Sequence, residues 1–212
     1  MEIQKLLLAM VIGEIIIATA RRIVPLDMLK KAGVKAVINR NPIVGVMGSH
    51  EQAWEEYAAP VGVLLAERGF NLLTGAGDGV MSAVAKAFTD VQDRKGVSIG
   101  IKPAVDYKGE RLSELEYPNP YIEIPMVTPL SSDAQKDAMP FSRNLVNVMT
   151  SKALVILPGS HGTRNEVSLA LMYDKPLIMF GPDSAFEKFP EEPLRADDIS
   201  HVEQFLDDVF GA

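Results

Sequence analysis

Three times along this chain an apolar run stops at a glycine-bearing turn and gives way to a helix-forming stretch: at 43–50, 70–79 and 153–163. A strand covered on both faces loses the polar alternation of an edge strand. Runs such as Ala-Leu-Val-Ile-Leu at 153–157 therefore predict buried parallel strands. Strands alternating with helices imply a parallel sheet with right-handed crossovers and helices on both faces. The predicted fold is α/β: a Rossmann-like, doubly wound parallel sheet in three αβα layers. Ligands of such sheets bind beyond the carboxyl ends of the strands. The turns at 48–50, 75–79 and 159–162 would gather at that one edge.

In chain order, a strand at 43–47 ends in Gly48-Ser49-His50 and leads to a helix over 51–68, which Pro60 should kink or break and Gly69 should cap. The strand at 70–73 runs into Thr74-Gly75-Ala76-Gly77-Asp78-Gly79. The helix that follows carries Val80, Met81, Val84, Ala85 and Phe88 along one face. Further strands are predicted at 97–101, 121–126 and 176–180, with helices at 142–152 and 199–210. Residues 102–120 are polar and aperiodic, the pattern of a lid or an insertion. Met81, Met149 and Met172 fall at helical core positions and read as packing.

The length suits one domain over 41–212, with residues 1–40 an extension packed on it. Residues 6–20 are strongly apolar, but Glu14 interrupts them and the run is short of the ~20 residues that span a bilayer. Arg21-Arg22 follows the run, whereas a signal peptide carries its charge ahead. A buried helix or strand is the reading there, with a short helix at 26–32 and a strand at 34–38. The expectation is a cytoplasmic protein with no membrane contact. A net charge of −7 argues against broad binding to nucleic acid. With no Cys, and with His50 and His161 isolated from carboxylates, no metal site is expected.

A glycine turn ahead of a helix start exposes unpaired N–H groups and the positive end of the helix dipole, which makes an anion site. Thr163 followed three residues later by Glu166 has capping-box spacing and predicts a helix beginning at Thr163. Glu166 can thus be a cap or a ligand residue. The helix at 142–152 and the strand at 153–158 are antiparallel neighbours of comparable length, so Arg143 returns to the level of Glu166. An Arg in a first helical turn opposes the dipole, so it is either solvated or held for a reason. Gly75, Gly77 and Gly79 alternate, which is not the dinucleotide fingerprint, and the P-loop pattern is absent too.

Residues 74–81, Thr-Gly-Ala-Gly-Asp-Gly-Val-Met, resemble the Gly-Gly-Gly-x-Gly-Leu/Val-Met turn of the LOG family, once misnamed lysine decarboxylases. Residues 158–166, Pro-Gly-Ser-His-Gly-Thr-Arg-Asn-Glu, resemble its Pro-Gly-Gly-x-Gly-Thr-x-x-Glu. The stretch 119–125 and the pair Arg143-Asn144 are closer to a sister branch that includes the molybdenum-cofactor carrier proteins. The resemblance spans about 42–180 and implies the Rossmann-like fold. In the LOG branch it implies cleavage of the N-glycosidic bond of a nucleoside 5′-monophosphate to free base and ribose 5-phosphate. The catalytic Arg and Glu of that branch fall on Arg143 and Glu166. Asn144 replaces a lysine, Ser160 a glycine and Ala76 another glycine, and Asn144 is what the carrier branch usually has.

The resemblance therefore implies a phosphoribohydrolase or, alternatively, a non-catalytic carrier or sensor of a phosphorylated nucleotide-like ligand such as the molybdenum cofactor. No resident cofactor is expected. The expected binding residues are Gly48, Ser49, Gly75, Gly77, Gly79, Met81, Gly159, Ser160, His161, Gly162 and Thr163. Amides of 159–163 and the Thr163 hydroxyl would hold the phosphate, with His161 as pocket wall. Glu166 would stabilise an oxocarbenium-like sugar, and Arg143 would bind base or phosphate with its planar fork. Relatives of this kind are homo-oligomers, so a dimer or tetramer is expected.

Overall fold

The computed structural model describes residues 40–104, 118–130 and 142–211. The expectations for residues 1–39, and for the 105–117 part of the lid segment, lie outside the described residues. The chain runs β1 (Ile43–Met47), α1 (Glu55–Glu67), β2 (Asn71–Thr74), α2 (Val80–Asp90), β3 (Ser98–Pro103) and β4 (Ile124–Thr128). It continues through α3 (Arg143–Thr150), β5 (Ala153–Ile156), α4 (His161–Met172), β6 (Leu177–Phe180), β7 (Leu194–Ala196) and α5 (Ile199–Phe210). All seven strands pair in parallel in the order β4-β3-β2-β1-β5-β6-β7.

Residue parity splits the core into two layers. Val44 and Val46 of β1, with Ala153 and Val155 of β5, pack on one face against α1, α2 and α5. Met47, Leu154 and Ile156 face the other way, toward Val148 of α3 and Val167 and Ala170 of α4. Period-two side chains buried on both faces are what leave such strands without polar alternation. The predicted three-layer Rossmann-like fold is the one observed.

The chain leaves β1 outward to β4, then returns to set β5 beside β1 and builds outward the other way. That reversal opens a crevice beyond the carboxyl ends of β1 and β5. The loops there are knitted together. Ser49 N donates to Pro158 O at 2.9 Å, Val80 N to Ser49 O at 2.9 Å, and Leu157 N to Met47 O at 2.8 Å.

Several boundaries differ from the sequence reading. Helix α1 begins four residues late, because Ser49 Oγ accepts from Glu51 N and Gln52 N and holds a turn there. Of the kink or break expected at Pro60, no break occurs: α1 runs through it, its Ala58, Val61 and Leu65 buried in the core. Burial of that face outweighs the one helical bond proline removes. Strand β4 starts at Ile124 rather than 121, since Asn119 ties Tyr121 N and Ile122 N into a turn. Strand β7 was not foreseen. Met149 and Met172, read as core, are 47% and 68% exposed.

Candidate functional site

The crevice holds a solvent-open pocket of about 110 Å³, lined by Met47, Gly48, His50, Met81, Arg143, Asn144, Ser160, Gly162, Thr163 and Glu166. Pockets that enclose whole small molecules measure ~300–1,000 Å³. Among the described residues, this one is the size for a phosphoryl group or part of a sugar.

Helix α4 points its N-terminus into the pocket through Ser160, Gly162 and Thr163. It starts at His161, two residues earlier than predicted, and Ser160 makes no side-chain cap. Its first N–H groups have no partner within the helix, which leaves donors and a partial positive charge at the pocket wall. The capping box does not form. Glu166 turns inward instead, 6% exposed, and its Oε1 accepts from Asn147 Nδ2 of α3 at 3.0 Å. Burial pushes its carboxyl up from 4.5 to about 7, against the opposing pull of the Arg143 charge and the Asn147 hydrogen bond.

Arg143, at the first position of α3, is also buried. Its Nη1 donates to Gly75 O and, at 3.4 Å, to Ile101 O, while its Nε has no partner. Here is the reason for an Arg in a first turn: it clamps the glycine loop after β2 to β3. Gly75 must be glycine because a Cβ there would collide with the Arg143 guanidinium and come within 2.9 Å of Met81 Sδ. Asn144 lies where the LOG-type motif has lysine, and its Nδ2 donates to Asn165 Oδ1 at 3.1 Å.

Of the residues picked from sequence, Gly48, Met81, Arg143, Ser160, Gly162, Thr163 and Glu166 meet at the pocket. Gly75, Gly77, Gly79, Ser49 and Gly159 do not line it; they let its walls pack. Gly79 has φ 60, and a Cβ there would strike the main chain of Ser49 and His50. Ser49 spends its hydroxyl on the 51–52 turn. The imidazole in the lining is His50, not His161 as expected. Sequence reasoning missed Asn147, although its position four residues after Arg143 places both on one face of α3. Among the described residues no cluster of three or more His, Asp or Glu converges, and no helix is long and apolar enough to cross a membrane.

The model of the SLOG cluster4 family matches residues 41–205. An uncharacterized protein of Archaeoglobus fulgidus is 30% identical over 158 residues, covering 71% of this chain and 91% of its own. Among solved structures, the molybdenum cofactor binding protein of the phototrophic bacterium Rippkaea orientalis is 26% identical. It superposes with a TM-score of 0.64, over 81% of this chain and 98% of that one. The molybdenum cofactor carrier protein of Chlamydomonas reinhardtii is 27% identical, with a TM-score of 0.61 over 82% and 100%.

Proposed function

The chain belongs to the SLOG cluster4 family, and from that premise we propose that it binds a phosphorylated, nucleotide-like small molecule, such as a pterin cofactor, without turning it over. One observation carries the reading. The Arg-Lys pair of the hydrolytic branch is dismantled: Asn144 bonds Asn165, and Arg143 is committed through Nη1 to main-chain carbonyls. The pocket keeps what binding needs, a helix N-terminus with the Gly162 and Thr163 main chain at its wall. Similarity to two proteins named for the molybdenum cofactor supports the same class of ligand.

A second reading, hydrolysis of a nucleoside 5′-monophosphate, is favoured by Glu166. A buried pocket carboxyl that titrates at about 7 suits general acid–base work. Incubation with a panel of nucleoside monophosphates, assayed for free base, separates the two. Thermal stabilisation without released base is the expected result. Base release that is lost in Glu166→Ala would overturn it in favour of the hydrolase. We also propose that the chain self-associates, as the exposed Met149, Met172 and Tyr173 would allow; a monomer in sedimentation refutes that.

A further inference from the structure

Two side chains on α3 leave polar atoms buried and unpaired beside Glu166: Arg143 Nε and Asn147 Oδ1. Asn147 is fully buried, and its Nδ2 is already spent on Glu166 Oε1 at 3.0 Å. A buried carbonyl-type oxygen without a donor is costly, and natural interiors rarely keep one. The amide's orientation does not remove the difficulty. Turned over, Asn147 would set its Oδ1 against Glu166 Oε1, and two acceptors at that distance need a proton between them.

A proton on Glu166 resolves both arrangements. A carboxylic acid facing a carboxamide makes paired bonds: the amide N–H to one acid oxygen, and the acid O–H to the amide oxygen. We infer that up to near-neutral pH Glu166 rests as the neutral acid, its proton shared with Asn147 Oδ1, that it returns to this form when it binds an anion above that range, and that this leaves the pocket net positive and fit for a phosphomonoester dianion.

The charge count at the pocket gives the proton its purpose. Among the described residues, the charged and titratable groups lining the pocket with Glu166 are Arg143 from α3 and His50 from the loop after β1, with the α4 N-terminus adding a partial positive charge. An ionised Glu166 would cancel the Arg143 charge and repel an incoming phosphoryl group. A neutral Glu166 leaves Arg143 and the helix end to attract it. Asn147 is thereby a positioning residue that acts through Glu166. The inference rests on the phosphoryl-binding reading above for its ligand, but the resting proton stands on the side chains alone.

Two measurements test it, with adenosine 5′-monophosphate as probe. At pH 8, above the point near 7 where Glu166 titrates, the ligand-free carboxyl is mostly ionised and must regain its proton to admit the anion. The probe's phosphate is already dianionic there (its second pKa is about 6), so any proton taken up on binding goes to the protein. Calorimetry in two buffers of different ionisation enthalpy should give uptake approaching one proton per site. Glu166→Gln, which keeps the amide partner without the charge, should bind with no uptake and about tenfold tighter at pH 8, since Glu166 titrates at about 7. Proton-neutral binding by the wild type, or weaker binding by Glu166→Gln, overturns the inference.

Infrared difference spectra between pH 6 and 8 read the acid directly. A protonated-carboxyl band should be present at pH 6, absent in Glu166→Gln, and shifted in Asn147→Leu, which removes the acceptor. No such band at pH 6 refutes the resting proton. A band in place with no nucleotide bound by either protein refutes the phosphoryl reading instead.

Discussion

Glu166→Gln in the ligand-free protein makes a quantitative forecast about stability. Burial raises the folded carboxyl from 4.5 to about 7. Between those values the folded state keeps a proton that the unfolded chain has released, so stability is highest below 4.5 and falls as pH rises toward 7. At about 1.4 kcal/mol per pH unit, the full penalty of ionising this site is roughly 3 kcal/mol, and about 2 kcal/mol of it falls between pH 5.5 and 8. Working above pH 5.5 also keeps clear of the isoelectric point near 5.0. Urea unfolding of both proteins at half-unit steps should show the wild type losing about 2 kcal/mol relative to Glu166→Gln across that range. In thermal melts this is a gap widening by roughly 4–8 °C for a domain of this size. Other titrating groups shift both curves alike and drop out of the difference. Parallel curves would mean Glu166 is solvated or permanently ionised, and the burial argument would be wrong.

Arg143→Ala strips Gly75 O and Ile101 O of their donor and removes the cation beside Glu166. A loss of about 2–4 kcal/mol in urea is expected, with the Glu166 titration moving further up. Gly75→Ala drives a methyl into the Arg143 guanidinium and should cost about 1–3 kcal/mol by over-packing. Gly162→Ala is the counterpart, because its Cβ would meet nothing within 4 Å. Its melting temperature should hold or rise, since Ala favours a helix by up to ~1 kcal/mol over Gly, while nucleotide affinity falls as the methyl narrows the pocket wall; unchanged affinity by calorimetry would remove Gly162 from the site.

The strands nearest the middle of the sheet were readable because burial on both faces left uninterrupted apolar runs, as at 44–47 and Ala153–Ile156. The two edges read less well: the sequence pattern starts β4 too early and misses β7. Strand β4 exposes Ile124, Met126 and Val127, and its start is set by Asn119 and by Glu123, whose carboxylate accepts from Ser98 N across the sheet. Nothing local to residues 121–123 records that contact. The three residues of β7 are too few to show a period. The capping box failed for a related reason: Thr163 and Glu166 have the spacing, but Asn147 from another helix offers Glu166 a buried partner, and the long-range bond wins over the local one. Asn147 itself was hidden because an Asn inside a helix reads as solvent-facing. The signal was there in Arg143, Asn144 and Asn147, polar residues sharing the inward face of α3 with Val148.

Binding and turnover ask opposite things of Glu166. Holding a phosphoryl dianion next to Arg143 favours a neutral acid, because a carboxylate there would cancel the Arg143 charge that draws the anion in. Stabilising an oxocarbenium-like sugar favours the carboxylate, which must be ionised when the glycosidic bond stretches. The Asn147 carboxamide can serve either form, donating to the anion or accepting from the acid. What separates the two is the second cation of the Arg-Lys pair. A lysine at 144 would attract the phosphate without help and leave Glu166 free to ionise; with Asn144 there, bonded to Asn165, position 144 carries no such charge. On the proposed reading, an asparagine at 144 and a protonated Glu166 go together, and both would favour retention of the ligand over its cleavage. Asn144→Lys tests the link: it should lower the pH at which Glu166 ionises, and an unmoved titration would uncouple the two residues.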